Sequence, residues 1–330
     1  MEDVYFFLYP EDFDFVQSLP TIGGYDFRHP QINWVWSTYF RLKQKGYKNV
    51  HLIKELPQRG IVVMASNQRY LFKRFPSELL VILTVADSPP WFYSHINVAQ
   101  NPVQPGDYPN VLNFPQWTFI PHWPQPNLLP RDEARGDRFE NVAFLGDRSQ
   151  LAPELLSEEF SKEVEKMCLR FSIIDKEFND YRSLDAVLAV RRFSSDRHIH
   201  KPASKLVNAW AAGVPLIAGA ESAFTSIQRS ALDFLPVANK EEVLQALRRL
   251  KENPELRKQM ATNGKSRFKD YSEEAVLQMW EQLLFNDAQN LYKKWRRKNS
   301  LSRGLFYSDM FLSRSVRSVK KRIFKTAKTA

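Results

Sequence analysis

The sequence predicts an α/β protein built of two doubly wound domains, followed by a basic helical tail. Three observations carry this. Short apolar runs recur along the 330 residues with helix-spaced segments between them, the pattern of a parallel sheet with crossover helices. In the C-terminal half, residues 200–221 pass from a polar loop through a short helix and a glycine stop into a buried strand. Basic charge is gathered at one end of the chain.

Tyr5-Phe-Phe-Leu-Tyr9 predicts a first strand, followed by Pro10, an acidic turn and a loop holding Gly23-Gly24. Trp34, Val35, Thr38, Tyr39 and Leu42 have helical spacing and predict a helix from Trp34 to Lys45, ended by Gly46. Strands are then predicted at 50–53, 60–65, 79–86 and 96–99. Residues 101–138 hold eight prolines together with Trp117, Phe119, His122 and Trp123. Such a segment is stiff and extended, and its aromatics predict that it is packed. It is expected to close a first domain, 1–130, and to cross into a second, 131–285.

The second domain is predicted to open with the strand Asn141-Val-Ala-Phe-Leu, ending at Gly146-Asp147-Arg148, where glycine permits close backbone approach. A helix through Leu155, Phe160, Val164 and Met167 follows, then strands at 170–174 and 185–191. Arg191-Arg192 and a polar loop lead into His200-Lys-Pro-Ala-Ser-Lys-Leu-Val-Asn-Ala-Trp-Ala-Ala-Gly-Val-Pro-Leu-Ile-Ala. There Pro202 suits a first helical turn, Ser204 is a candidate cap, and Gly213 suits the left-handed position past the helix end. Val214–Ala218 reads as a parallel strand covered on both sides. Lys201 and Lys205 stand at the helix N-terminus, and Arg191 at a strand end, so the simplest chemistry here is phosphate or diphosphate binding. Leu235–Val237, a helix over 241–250 and another opened by Asn253-Pro254 complete this half.

Residues 202–217 resemble the donor-site segment of GT-B glycosyltransferases, in which a Ser-Lys-Leu helix precedes Ala-x-Gly-x-Pro and a strand. Residues 263–284 resemble the C-terminal helices of the same family, where an Asn/Gly-x-x-x-x-Phe turn leads to a helix crossing back onto the first domain. The resemblance implies two Rossmann-like domains facing a cleft, with the donor nucleotide-sugar on the second. Gly146 would permit close approach of the diphosphate, Arg191, Lys201 and Lys205 would hold it, and Arg148 is a further donor-binding candidate. The pair of glutamates that many retaining members carry falls on His200 and Asn208, and neither position supplies the usual carboxylate. His200, Asn208, Glu221 and Ser222 are the candidates for addressing ribose or sugar hydroxyls, with Glu221 equally placed to cap the helix after it.

On the first domain, Asp26 and His29 are the candidate acceptor-side bases, with Asp87 a further cleft-facing group. Asp12-Phe-Asp14 has the form of the metal motif of the other large glycosyltransferase fold. It stands at the chain start without a nucleotide-binding unit before it, and no metal site is assigned. The expected activity is metal-independent sugar transfer, without a cofactor, from a nucleotide-sugar to a glycan or lipid-linked acceptor. The alternative is a catalytically silent nucleotide-sugar-binding or scaffold protein.

With 43% hydrophobic and 25% charged residues, the composition is that of a soluble globular protein. The single cysteine, Cys168, excludes an intrachain disulfide and a cysteine-rich metal site, and suits a reducing compartment. The first residues are acidic and their apolar run is too short for a signal peptide, so a cytoplasmic protein is expected. Residues 291–330 hold thirteen Lys or Arg against one acid, Asp309, which leaves the other 290 residues near −2 of the net +10. Leu312, Val316, Val319 and Ile323 share a helical face in this tail. A basic amphipathic helix suits an anionic membrane surface, where each Lys or Arg contributes about 1 kcal/mol. A solvated disordered tail is the plain alternative. The near-neutral body argues against a nucleic-acid role.

Overall fold

The computed structural model describes residues 1–19, 21, 31–71, 76–87, 94–107, 116–194 and 196–308. The chain forms two compact units, one of 1–100, 104–120 and 277–330, the other of 101–103 and 121–276.

The first unit begins with β1 (Val4–Phe7) and α1 (Pro10–Gln17). The acidic turn expected after Pro10 is thus a helix. Pro10 occupies its first turn with Glu11 and Asp12 beside it, the arrangement favoured at a helix N-terminus. Asp14, on this helix, pairs with Lys54 at 3.4 Å. A turn of π-helix over Ile32–Trp36 runs into α2 (Ser37–Gln44), and Gly46 follows at φ +95. Strands β2 (Val50–Ile53), β3 (Arg59–Ala65), β4 (Glu78–Val85), β5 (Ile96–Ala99) and β6 (Gln116–Phe119) complete a six-stranded sheet in the order β2-β1-β3-β4-β5-β6. Its described pairings are parallel. Val62 and Met64 of β3 join Phe7, Leu79, Val81, Leu83 and Val85 in one core layer.

The second unit holds β7 (Asn141–Leu145), α3 (Glu158–Lys166), β8 (Arg170–Ile174), β9 (Ala186–Ala189), α4 (Ser204–Ala212), β10 (Leu216–Gly219), α5 (Ser222–Ile227) and β11 (Leu235–Val237). Helices α6 (Lys240–Glu252) and α7 (Pro254–Phe268) follow. The parallel sheet has the order β11-β10-β9-β7-β8, so the strand order reverses between β7 and β9. Alternate residues serve two cores. Val142, Phe144, Ala186, Leu188 and Ile217 pack on the face that also takes Phe160 of α3 and Leu247 of α6. Ala143, Leu145, Val187, Ala189, Leu216 and Ala218 pack on the face that takes Leu206, Ala209 and Trp210 of α4. Burial on both faces explains why these strands read as unbroken apolar runs.

Asn263 and Gly264, expected in a turn, lie inside α7. A Cβ on Gly264 would stand 2.9 Å from Trp210 Cδ1 and 3.2 Å from Trp210 Cα, so the residue's smallness lets α7 approach α4.

Helix α8 (Glu273–Gln282) carries the chain back to the first unit, and a π-turn over Leu283–Asp287 joins it to α9 (Ala288–Arg296). Trp280 meets Trp34 edge-on at 6.4 Å, and Phe285 stacks on Tyr47 at 4.3 Å. Gln289 exchanges two hydrogen bonds with the Glu2 backbone. Residues 300–308 form a further helix. Part of the segment expected as a tail is therefore built into the first unit: Tyr292, Trp295, Arg303 and Phe306 are buried there. Residues 309–330, with the apolar positions Leu312 to Ile323, lie outside the described residues.

Candidate functional site

In open α/β sheets ligands gather at the carboxyl ends of the strands where the order reverses. In the second unit that point lies between β7 and β9, and the chain places Gly146 at the end of one and Arg191 just beyond the end of the other. Gly146 has φ +150, a conformation that side-chain-bearing residues rarely adopt, and a Cβ there would stand 2.8 Å from Lys205 Nζ. The backbone conformation requires glycine, and a side chain there would also displace the neighbouring ammonium.

Lys205 comes from the first turn of α4. Its ammonium donates to the Leu145 carbonyl at the end of β7 and lies 4.4 Å from the centroid of the Phe144 ring. Burial, reinforced by the nearby Arg191 and opposed by Glu221, brings its pKa down to about 7. A cation held in a low-dielectric place beside a second cation is poised to take up an anion, which would return it to the charged form.

Arg191 is itself positioned from two sides. Its Nε donates to the Glu221 carboxylate at 3.1 Å, and a terminal guanidinium nitrogen donates to Gln150 at 3.2 Å. Glu221 is 5% exposed and precedes α5 without capping it by its side chain, so of the two roles expected for it the cap is not formed. The N-terminus of α4 also lacks a side-chain cap. Ala203, not Ser204, stands at the cap position, and Ser204 is the first helical residue. An uncapped helix N-terminus beside Lys205 and Arg191 favours negative charge.

Gly146, Arg191, Lys205 and Glu221 are thus brought together. Lys201 and Ser222 are joined through a residue that sequence reasoning missed: Asn101 Nδ2 reaches the Lys201 carbonyl at 3.2 Å and the Ser222 hydroxyl at 2.9 Å. Nothing in the sequence around Asn101 signals that it belongs with the second unit. His200 is half-buried in the turn before α4, and Arg148 is exposed in the turn after β7. Asn208 is occupied inside the fold. It is 7% exposed, its Oδ1 accepts the Gln125 N–H at 3.2 Å, and it hydrogen-bonds Tyr181, whose phenol burial pushes upward in pKa. Gln150 and Phe144 complete the site and also escaped the sequence reading. Asp26 and His29 lie outside the described residues. Asp87 accepts from Gln100 at 3.2 Å.

Residues 177–282, which include Arg191, Lys205 and Glu221, match the family model described as glycosyl transferase-like. Among solved structures, HepE of Anabaena in complex with UDP-glucose superimposes with a TM-score of 0.50 at 11% identity, over 86% of this chain and 99% of that one. The chain carries a glycosyl transferase-like domain on a GT-B fold. AviGT4, a glycosyltransferase involved in avilamycin A biosynthesis, gives a TM-score of 0.49 at 12% identity, over 86% and 98%. The accessory secretory protein structure from Streptococcus pneumoniae gives 0.44 at 12% identity, over 76% of this chain. This GT-B chain spans 56% of that protein's length and 57% of TarM. Comparison with curated protein sequences finds no match. Among the described residues, no helix is long and apolar enough to cross a membrane.

Proposed function

We propose that the chain transfers a glycosyl group from a nucleoside-diphosphate sugar to a glycan or lipid-linked acceptor, with the second unit holding the donor diphosphate. The observation that carries this reading is the Lys205 ammonium buried against the Leu145 carbonyl, beside Arg191, at the strand-order reversal. As the glycosidic bond to the donor breaks, negative charge grows on the departing diphosphate. Lys205, Arg191 and the N-terminus of α4 are fixed groups of the sign that stabilises it. Arg148 and Lys201 stand within reach in sequence to add to this charge, and His200, Glu221 and Ser222 are proposed to meet hydroxyls of the donor. Two comparisons support the reading: the glycosyl transferase-like match over 177–282, and the fold neighbour HepE, which is seen with UDP-glucose.

The test is calorimetric titration of UDP and GDP into the wild type and Lys205→Met. One of the two nucleotides is expected to bind the wild type and to bind the variant at least tenfold more weakly. Above pH 7 the free lysine is mainly neutral, so binding is expected to take up a proton there, seen as a buffer-dependent heat that Lys205→Met removes. Absence of binding by both nucleotides overturns the proposal. Donor turnover then separates a transferase from a silent binder.

A further inference from the structure

Two leucines on the first unit stand out from the other described apolar side chains. Leu301 is 71% exposed and Leu305 64%, well beyond Phe15 at 47% and Leu129 at 38%, and exceeded among the described large apolar side chains only by the terminal Met1 at 79%. They lie four residues apart on the helix over 300–308, and therefore on one face of it. Single exposed apolar residues are ordinary; two in helical register on a helix already fixed to the protein are not.

The opposite face is tied down. Phe306 stacks on the buried His95 at 4.9 Å and meets Trp295 at the same distance. Arg303, 9% exposed, donates to Glu78 at 3.5 Å and to the Arg296 carbonyl at 3.1 Å. Trp295 in turn donates its indole N–H to the Ser77 carbonyl at 3.0 Å. The leucine face is thus held outward by packing beneath it.

The stretch of chain that leads into this helix, 293–298, carries basic side chains and no acid. Lys293, Lys294, Arg297 and Lys298 are exposed within the same stretch of chain. Among the described residues Lys293, Lys294 and Arg297 have no acidic partner, while Arg296 pairs with Glu2 at 2.8 Å. The sequence then continues the apolar spacing from Leu305 to Leu312, Val316, Val319 and Ile323, with seven Lys or Arg after residue 308 against Asp309 alone.

We propose that the Leu301–Leu305 face, with Lys293, Lys294 and Arg297, is a docking surface for an anionic lipid bilayer. The leucines enter the headgroup boundary and the cations meet lipid phosphates. The face is already ordered in the protein, so binding need not order it. This surface does not depend on the sugar-transfer reading, since it is remote in sequence from the Lys205 site.

The experiment uses the full chain with vesicles of phosphatidylcholine alone and of phosphatidylcholine mixed with an equal amount of phosphatidylglycerol. Flotation is measured at low and high salt. The wild type is expected to float with the anionic vesicles only, and to be released by salt. Leu301→Ser/Leu305→Ser and Lys293→Ser/Lys294→Ser/Arg297→Ser are each expected to lower the bound fraction at least tenfold, with unchanged thermal unfolding and unchanged nucleotide titration. Failure of the wild type to float, or flotation of either variant equal to that of the wild type, overturns the proposal. So does self-association of the wild type in the absence of vesicles that the leucine variant abolishes, because a second copy would then cover the face. So does tight binding to duplex DNA that ignores the leucines. Loss of nucleotide binding in the wild type would sink the donor-site reading and leave the vesicle result standing.

Discussion

The Glu221 carboxylate holds the Arg191 Nε at 3.1 Å, although the two residues come from the ends of different strands, thirty positions apart in sequence. Glu221 is therefore the counter-ion that keeps a guanidinium aimed at the strand-order reversal before any anion arrives. This pair, not a bare cluster of cations, is the resting state of the site. Under the proposed function, an arriving diphosphate would compete with Glu221 for Arg191 while it recharges Lys205.

The pair's contribution to stability can be measured. Glu221 is 5% exposed and Arg191 16%, so Arg191→Ala leaves a buried carboxylate without its partner. The cost is expected to be about 3 kcal/mol, the lower end for a broken buried pair. The double variant Arg191→Met/Glu221→Gln, which buries no lone charge, should recover most of that loss in urea unfolding. Equal destabilisation by both would show that the pair is exposed to solvent in practice.

A second prediction concerns acid. His95 is fully buried, with Nδ1 accepting the Val81 N–H at 3.0 Å and its ring between Trp295 and Phe306. Burial, with help from Lys298, brings its pKa down to about 3. Between about pH 3 and 6.5 the unfolded chain binds the proton that the folded chain refuses, so stability falls as pH drops below 6.5. The loss from this group is on the order of 4 kcal/mol by pH 3. His95→Gln keeps an acceptor for Val81 and cannot titrate, so its thermal midpoint should fall less between pH 7 and 4 than that of the wild type.

The sheet architecture was legible because both faces of the strands are buried, which turns each strand into an apolar run, and because glycines mark the places where backbone must bend or approach. Gly146 and Gly213, at φ +150 and +70, are such places. Arg191 and Lys205 could be assigned to one edge because strand ends and helix starts meet there in any parallel sheet. What escaped was set by tertiary contact. The partner of Glu221 depends on a distance no local pattern encodes. Asn208 had the right spacing for donor contact, but Gln125 and Tyr181 claim its side chain. Asn101 joins the second unit from a stretch whose neighbours in sequence belong to the first. The misread helix α1 is different: Pro10 followed by two acids is itself a helix-start signal, and the shortness of the segment hid it.

Asp185 offers a test at the opposite edge of the second sheet. Its carboxylate accepts from Arg131 and Arg135 and from the backbone N–H groups of Glu140 and Asn141. Burial alone would raise its pKa, but these hydrogen bonds, that of Arg135 foremost, outweigh it and hold the pKa below the ordinary value. The stabilisation is therefore full above the unfolded value near 4 and is lost as pH falls through the folded one. Asp185→Asn should cost about 3–5 kcal/mol at pH 7 by leaving two arginines without their carboxylate, and should flatten the acid limb of the stability profile.

The last prediction sets helix propensity against packing. Alanine in place of an interior helical glycine usually stabilises by about 1 kcal/mol. Gly264 sits inside α7, yet its absent Cβ would stand 3.2 Å from the Trp210 Cα, an atom of α4's backbone that cannot swing aside. Trp210 is also fixed by its indole N–H, which donates to the Asp233 carbonyl at 3.0 Å. Overpacking of this kind costs about 1–3 kcal/mol, so Gly264→Ala should be destabilising on balance. Because α4 must shift to admit the methyl group, and Lys205 lies on the same helix five residues before Trp210, nucleotide affinity is expected to fall with stability. A more stable Gly264→Ala protein would mean that α4 and α7 are free to separate without cost, and that the position of Lys205 is not set by their packing.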